Sequence, residues 1–331
     1  MYLINKNEVK TKKELKNMND KEKMEYLIDE LKKDLSSKNK EIVGYLEKIE
    51  ALEQEIMKLQ KPIPGEASKV ISKREKPEDI FDPDSASAII VKNLVKKFDD
   101  VTAVNGISLE IKKSELFGLL GPNGAGKTTM INMLVGLLNA TEGTAIVGGY
   151  DVKRDLSKIK EMIGVCPQEA SVYKFLKGRE NVELFGNLFE MDKKVLKERA
   201  DKFFEASGLE EASNRKAKGY SGGMIRQLNL IIALINDPKI VFLDEPTVGM
   251  DPRARRKTWE FIGDLKKQDK TIILTTHYIE EAEALCDRVG VIDYGELIDL
   301  GSPKELMKKH DATNLEEVFM KITGRRIMEG V

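Results

Sequence analysis

Cysteine, histidine and tryptophan are scarce in this 331-residue chain, which has two Cys, two His and one Trp. Cys166 and Cys286 lie far apart and lack the close spacing of a metal or dithiol site. That excludes a disulfide framework, and the expectation is two reduced, buried thiols in a cytosolic protein. Long apolar runs are missing too. None approaches the roughly 18–20 residues that cross a bilayer as a helix, and the stretch 228–235 is short and interrupted by Asn229. The amino terminus has no apolar core of signal-peptide length. A soluble, cytoplasmic chain is expected, one that reaches a membrane only through a partner. Nor does charge of one sign dominate. Lys+Arg 55 against Asp+Glu 56 leaves a net charge of −1, which provides no global attraction for nucleic acid.

Residues before Pro62 lack arginine, histidine, cysteine and proline, and are rich in Lys and Glu. With Ile28 at position a, the a positions are Ile28, Leu35, Ile42, Ile49 and Ile56, and the d positions are Leu31, Lys38, Tyr45, Leu52 and Leu59. Only Lys38 breaks this seam. Ile at a with Leu at d favours a parallel two-stranded coiled coil over 21–61, with Lys48 at g facing Glu53 at the next e. A single amphipathic helix packed on its own domain is the alternative. Residues 1–20 are polar and expected to be disordered. Pro62, Pro64, Gly65, Pro77 and Pro83 make 62–86 a flexible linker.

From residue 87 the text turns globular. Gly121-Pro122-Asn123-Gly124-Ala125-Gly126-Lys127-Thr128-Thr129 fits the Gly-x4-Gly-Lys-[Ser/Thr] pattern of a phosphate-binding loop. It sits between an apolar strand, residues 116–120, and a helical run beginning at Met130. Strand, glycine loop and helix together aim N–H groups and a helix amino end at anionic oxygens. Lys127 is placed to reach the β- and γ-phosphates of ATP, and Thr128 to put a hydroxyl on Mg2+. Further strands read at 88–91, 107–111, 145–147, 164–166, 240–243, 271–276 and 289–292, with helical text at 178–211 and 223–235. Such alternation predicts a mainly parallel sheet covered on both faces, with active residues at the carboxyl ends of its strands.

Two motifs extend the chemistry. Asp244 closes the apolar run Ile240-Val241-Phe242-Leu243 and is placed to hold Mg2+ through water, while Glu245 is placed to polarise an attacking water. Adjacent residues at a strand end point in different directions, so the two acids can take different roles. Tyr220-Ser221-Gly222-Gly223-Met224 precedes a helix and offers N–H groups, a hydroxyl and a helix amino end to phosphate.

Residues 121–129, Gln168, Ser221-Gly222-Gly223, Leu243-Asp244-Glu245-Pro246-Thr247, Gly249-Met250-Asp251-Pro252 and Thr276-His277 stand in the order of an ABC-type ATPase, and residues 87–323 resemble that family. The resemblance implies a P-loop α/β fold with a mainly parallel core sheet, an antiparallel β subdomain and a helical subdomain near 170–236, followed by a tail at 324–331. It implies head-to-tail pairs that sandwich two ATP molecules. Ser221 and Gly223 would contact the γ-phosphate held by the other copy, and Asp251 would cross the interface. Gln168 would touch Mg2+ or the water and relay to a membrane partner, and His277 would contact the γ-phosphate and steady the water of Glu245. Phe98 sits where the family stacks a ring on adenine, a strand-core residue being the alternative. His310, in a lysine-rich helix, is expected at the surface.

Tyr220 and Ser114 depart from the leucine and glycine common at those positions, which bears on subfamily rather than catalysis. The Tyr220–Met224 motif, Glu142-Gly143-Thr144 and Asn314-Leu315-Glu316-Glu317-Val318-Phe319 resemble exporters of drugs, lipids, polysaccharides or ions with separately encoded membrane subunits. A peripheral place at the cytoplasmic face of the membrane follows from that resemblance. The stretch 170–181, with Val172, Tyr173, Phe175 and Leu176, would meet the membrane subunit, ordinary core packing being the alternative. Soluble ABC ATPases acting on DNA or ribosomes, and a coiled-coil assembly factor, are competing readings. In the chromosome type the coil interrupts the ATPase between P-loop and Ser-Gly-Gly, and ribosome-associated forms carry two cassettes. Here the ATPase text is uninterrupted and single, and Glu245 and His277 are retained.

Overall fold

The computed structural model describes residues 86–99 and 101–324. The expected polar start 1–20, the coil 21–61, the linker 62–86 except Ala86, and the tail 324–331 except Gly324 lie outside the described residues.

The first apolar alternations form an antiparallel sheet. Strands β1 (Ser87–Phe98) and β2 (Val101–Lys112) pair with each other, β4 (Glu142–Val147) pairs with the other side of β1, and the short β5 (Tyr150–Asp151) pairs with β4. Along β2 the residues Val104, Ile107, Leu109 and Ile111 are buried while their neighbours, apart from half-buried Ala103, are exposed, as a strand with one dry face requires.

The second sheet has six strands in the order β10-β9-β3-β8-β7-β6. They are β3 (Leu116–Leu120), β6 (Ile163–Cys166), β7 (Ile240–Asp244), β8 (Thr271–Thr276), β9 (Arg288–Asp293) and β10 (Glu296–Gly301). All pairs are parallel except β9 with β10, which closes one edge. Every residue of β3, β7 and β8 is buried, which is why these stretches read as apolar runs, closed by Asp244 in β7 and bounded by threonines in β8, rather than as alternating ones.

Helices cover both faces. They are α1 (Lys127–Leu134), α2 (Leu156–Met162), α3 (Gly178–Leu188), α4 (Lys193–Ser207), α5 (Gly222–Leu234), α6 (Pro252–Lys266), α7 (Ile279–Leu285), α8 (Pro303–Lys309) and α9 (Leu315–Thr323). The helical text from Gly178 onward resolves into α3 and α4. Glu190 adopts a φ of 55° between them, and the Asp192 carboxylate caps α4 by accepting from the N–H groups of Lys194 and Val195. Among the described residues no helix is long and apolar enough to cross a membrane. His310, expected at the surface, is half-buried at the end of α8, with Nε2 2.6 Å from Asp299 Oδ2 on β10.

The parallel sheet separates two apolar cores, and period-2 alternation sorts its residues between them. Phe117, Leu119, Phe242 and Ile273 face the core shared with the antiparallel sheet and α1. Leu116, Leu120, Val241, Leu243, Ile272 and Leu274 face the core shared with α4, α5, α6 and α9. Cys166 and Cys286 are both free and buried.

One contact fixes how α5 lies on β6. A Cβ on Gly164 would come within 2.1 Å of the Ala233 carbonyl oxygen. Glycine at 164 is therefore a matter of space between helix and strand. Gly164→Ala is expected to destabilise by about 1–3 kcal/mol through overpacking, read as a lower urea midpoint. An unchanged midpoint would contradict this packing.

Candidate active site

The P-loop leaves the carboxyl end of β3 and enters α1 at Lys127. Gly126 takes a φ of 100°, a left-handed conformation, and a Cβ there would also come within 2.3 Å of the Ala103 carbonyl oxygen on β2. The antiparallel sheet thus reaches the loop directly. A cleft of about 220 Å³ opens here, lined by Ala103, Asn123, Gly124, Gly126, Lys127, Thr128, Thr129, Gln168 and Glu245. Gly121, Pro122 and Ala125 complete the loop, Gly121 and Ala125 being buried.

Lys127 is only 4% exposed. Its ammonium donates to the carbonyl oxygens of Gly121 and Pro122 at 2.7 and 3.0 Å and pairs with Glu245 Oε1 at 3.4 Å. Burial pulls its pKa below the ordinary lysine value, against the opposing charges of Glu245 and Asp244.

The two acids at the end of β7 diverge. Asp244 Oδ1 accepts from the Thr128 hydroxyl at 3.2 Å and from the Thr275 hydroxyl. Glu245 lies just past the strand with a φ of 49°, rare for a non-glycine residue and characteristic of strain held at functional sites. Its N–H donates to the Thr275 carbonyl at 3.1 Å and to the Thr275 hydroxyl at 3.0 Å. Its carboxylate accepts from Gln168 Nε2 at 3.1 Å and lies 3.2 Å from His277 Nδ1. Burial pushes the Glu245 carboxyl up, but the contacts with His277 and Lys127 outweigh it and hold the group below the usual carboxylate range. The Glu245 carboxylate is therefore held in one orientation by Gln168, His277 and Lys127.

The remaining sequence candidates fall elsewhere. Ser221 is exposed at the amino end of α5, where its Oγ accepts from the Met224 N–H at 3.2 Å. Gly222 is exposed beside it, and Gly223 faces Met250 and Ala254. Asp251 is exposed and caps α6, accepting from the N–H groups of Arg253 and Ala254 at 3.0 Å. None of these four lines the cleft. Phe98 is 45% exposed at the end of β1, with the Lys96 ammonium 4.8 Å from its ring centre, so it is not a core residue of that strand. It too lies outside the cleft lining. A larger depression of about 680 Å³, with Lys113, Lys239 and Lys270 among its lining residues, opens where β7 and β8 begin. It contains none of the motif residues.

Sequence reading missed three side chains that hold this arrangement. Thr275 supports both Asp244 and Glu245 but reads only as part of an apolar strand. Glu281 on α7 is fully buried, accepting from the Thr247 hydroxyl at 2.8 Å and Trp259 Nε1 at 2.9 Å, and burial raises its pKa. In sequence it is one acid among Glu280, Glu281 and Glu283. Asn229 was visible as a polar break in an apolar helix.

Comparison with known proteins bears on this geometry. The family model described as ABC transporter matches residues 104–248. The linearmycin resistance ATP-binding protein LnrL of Bacillus subtilis (strain 168) is 42% identical, over 66% of this chain and 70% of its own length. The Nod factor export ATP-binding protein I of Rhizobium sp. (strain N33) is 41% identical, over 71% of this chain and 77% of its own. The fold also matches a dimeric, post-hydrolysis ATP-binding cassette bound to ADP and Pi, with a TM-score of 0.59 and 27% identity over 65% of this chain and 98% of that one. P-loop, paired acids, glutamine and histidine thus converge at one sheet edge in a chain that belongs to the ABC transporter family, as an ATP-binding and ATP-hydrolysing cassette.

Proposed function

We propose that this cassette drives export through separate membrane subunits, from the cytoplasmic face, by closing head to tail with a second copy on two Mg2+-bound ATP molecules. The observation that carries the reading is a division of the machinery. Lys127, Gln168 and Glu245 line one cleft and His277 is buried against Glu245, whereas Ser221 and Asp251 stand exposed outside it. A cleft with a base but with its Ser-Gly-Gly turn facing outward is half of a composite site. The exporter assignment draws on the relatives that name drug resistance and Nod factor export.

In this reading the ammonium of Lys127 turns from Glu245 to the β- and γ-phosphates, and the N–H groups of the P-loop cradle their oxygens. Thr128 Oγ1 and Asp244 Oδ1, 3.2 Å apart, offer the hard oxygens Mg2+ takes when phosphates complete its shell, Asp244 acting through water. The oxygen of Gln168 is a further donor. When bound, the ion neutralises charge on the β- and γ-oxygens. Glu245, ionised and fixed by Gln168 and His277, orients and deprotonates the attacking water, while His277 contacts the γ-phosphate. Ser221, Gly222 and Gly223 bind the γ-phosphate on the other copy, and Phe98 stacks on adenine from the hairpin beside the loop.

The surface offered to the membrane subunit follows Gln168. Asn181 is fully buried, with its Oδ1 accepting from the Tyr173 N–H and its Nδ2 donating to the carbonyls of Tyr173 and Lys177. It holds the segment so that Phe175 stands 79% exposed, near Tyr173 in sequence and with Leu188 and Phe189 also exposed at the end of α3. Val172 instead packs against the core. Exposed aromatic residues held by a buried amide fit an apolar partner.

Three measurements test the reading. Glu245→Gln is expected to bind ATP with affinity near wild type and to turn over at least about 100-fold more slowly; a wild-type rate would remove Glu245 from its role. Lys127→Ala and Ser221→Arg, each inactive alone, should regain activity when mixed, because one of the two composite sites in the mixed pair is then intact. No gain would refute head-to-tail pairing. Phe175→Asp should prevent co-purification with the co-expressed membrane subunits while the isolated protein hydrolyses ATP at its usual basal rate. Retained co-purification would place that interface elsewhere.

A further inference from the structure

Helix α5 carries an expensive residue. Between Leu228 and Leu230, in the most apolar part of the helix, Asn229 is 1% exposed. A buried amide is tolerated only when its hydrogen bonds are made, and here they all run to one place. Nδ2 donates to the Pro167 carbonyl at 3.2 Å and to Cys166 Sγ at 3.2 Å, and Oδ1 accepts from the Ser171 N–H at 3.1 Å. Cys166 is fully buried, and its sulfur serves as a weak acceptor. One turn earlier, half-buried Arg226 donates through Nη1 to the Gln168 carbonyl and, at 3.5 Å, to that of Pro167. The loop that carries Gln168 is thus gripped on both sides of that residue by α5, whose body is pressed onto β6 at Gly164.

We propose that Asn229 is a positioning residue that binds the Gln168 loop to α5, so that the amino end of α5 and the Gln168 side chain move as one body. Gln168 touches Glu245 at this chain's own cleft, whereas Ser221 opens the same helix. Given the head-to-tail pairing proposed above, on which the consequence rests, Ser221 sits on the other copy's nucleotide. One rigid helix then links the two nucleotide sites within each chain. Engagement of Ser221 on one ATP then holds Gln168 against the Glu245 carboxylate at the other. Packing alone does not call for an amide here, since an apolar side chain fills such a position without the desolvation that an amide incurs.

The test is a double-mutant cycle in the full-length protein, read as ATPase rate against ATP concentration. Asn229→Leu should lower kcat by about tenfold, move the Hill coefficient toward 1, and leave binding of a fluorescent ATP analogue to the dilute single chain unchanged. Gln168→Ala alone should also lower kcat, and adding Asn229→Leu to it should cost nothing further, because Asn229 acts through Gln168. Additive losses, or a kcat and Hill coefficient for Asn229→Leu equal to wild type, overturn the proposal. If the Gln168→Ala rate is unchanged, the role of Gln168 fails and the relay fails with it. If the Lys127 and Ser221 variants do not complement each other, the pairing is wrong, whatever the cycle shows. Arg226→Met, which removes only the grip on the Gln168 and Pro167 carbonyls, serves the same cycle should Asn229→Leu not fold.

Discussion

The geometry of this protein depends on where the Glu245 carboxylate is held. Strand register brings its neighbours together. Cys166 pairs with Leu243 across β6 and β7, and Asp244 pairs with Thr275 across β7 and β8. Gln168 and His277, each two positions past one of those pairs, therefore meet Glu245 from opposite sides, and Lys127 reaches it from the helix after β3. Parallel strands make this convergence automatic, because their carboxyl ends lie together. Glu245 itself leaves the strand in a left-handed conformation that two bonds from its N–H to Thr275 hold in place. The backbone strain is the local cost of turning one carboxylate into the cleft while Asp244 turns toward Thr128.

Around this fixed point the two cores have different functions. The core beneath the antiparallel sheet joins β2 to the P-loop through the approach of Ala103 to Gly126, so the hairpin that carries Phe98 is anchored beside the phosphate site. The opposite core joins the helices to the sheet, and its contact at Gly164 seats α5 on β6. From there, Asn229 and Arg226 reach the loop that begins where β6 ends. Helix α5 thus carries an exposed serine at its amino end and, in its middle, an amide bonded to the loop that holds Gln168.

Much of the chemistry was legible in the sequence because it is local. A glycine loop between strand and helix, an acidic pair after four apolar residues, and Ser-Gly-Gly before a helix each carry their meaning within ten residues or so. Buried strands were legible for the same reason: β3, β7 and β8 are covered on both faces and so are apolar over most of their length. The half-exposed β10 and the two-residue β5 gave no such signal. Thr275, Glu281 and Asn229 were not assignable either, since each acts on groups far away in the chain, and a threonine in a strand or a glutamate in an acidic run looks the same whether or not it is buried and bonded.

The amino-acid sequence by itself determined the reaction parts: the phosphate loop, the two acids, the glutamine, the histidine and the Ser-Gly-Gly turn, in an order that defines the family. Only the tertiary structure decided which of them share a cleft and which face outward. It set Glu245 against Gln168, His277 and Lys127, left Ser221 and Asp251 outside, and tied Gln168 to α5 through a buried amide. The physical reason is that motif identity is written in neighbouring residues, whereas alignment at a sheet edge and burial of a polar group arise from strand register and helix packing between segments distant in the chain.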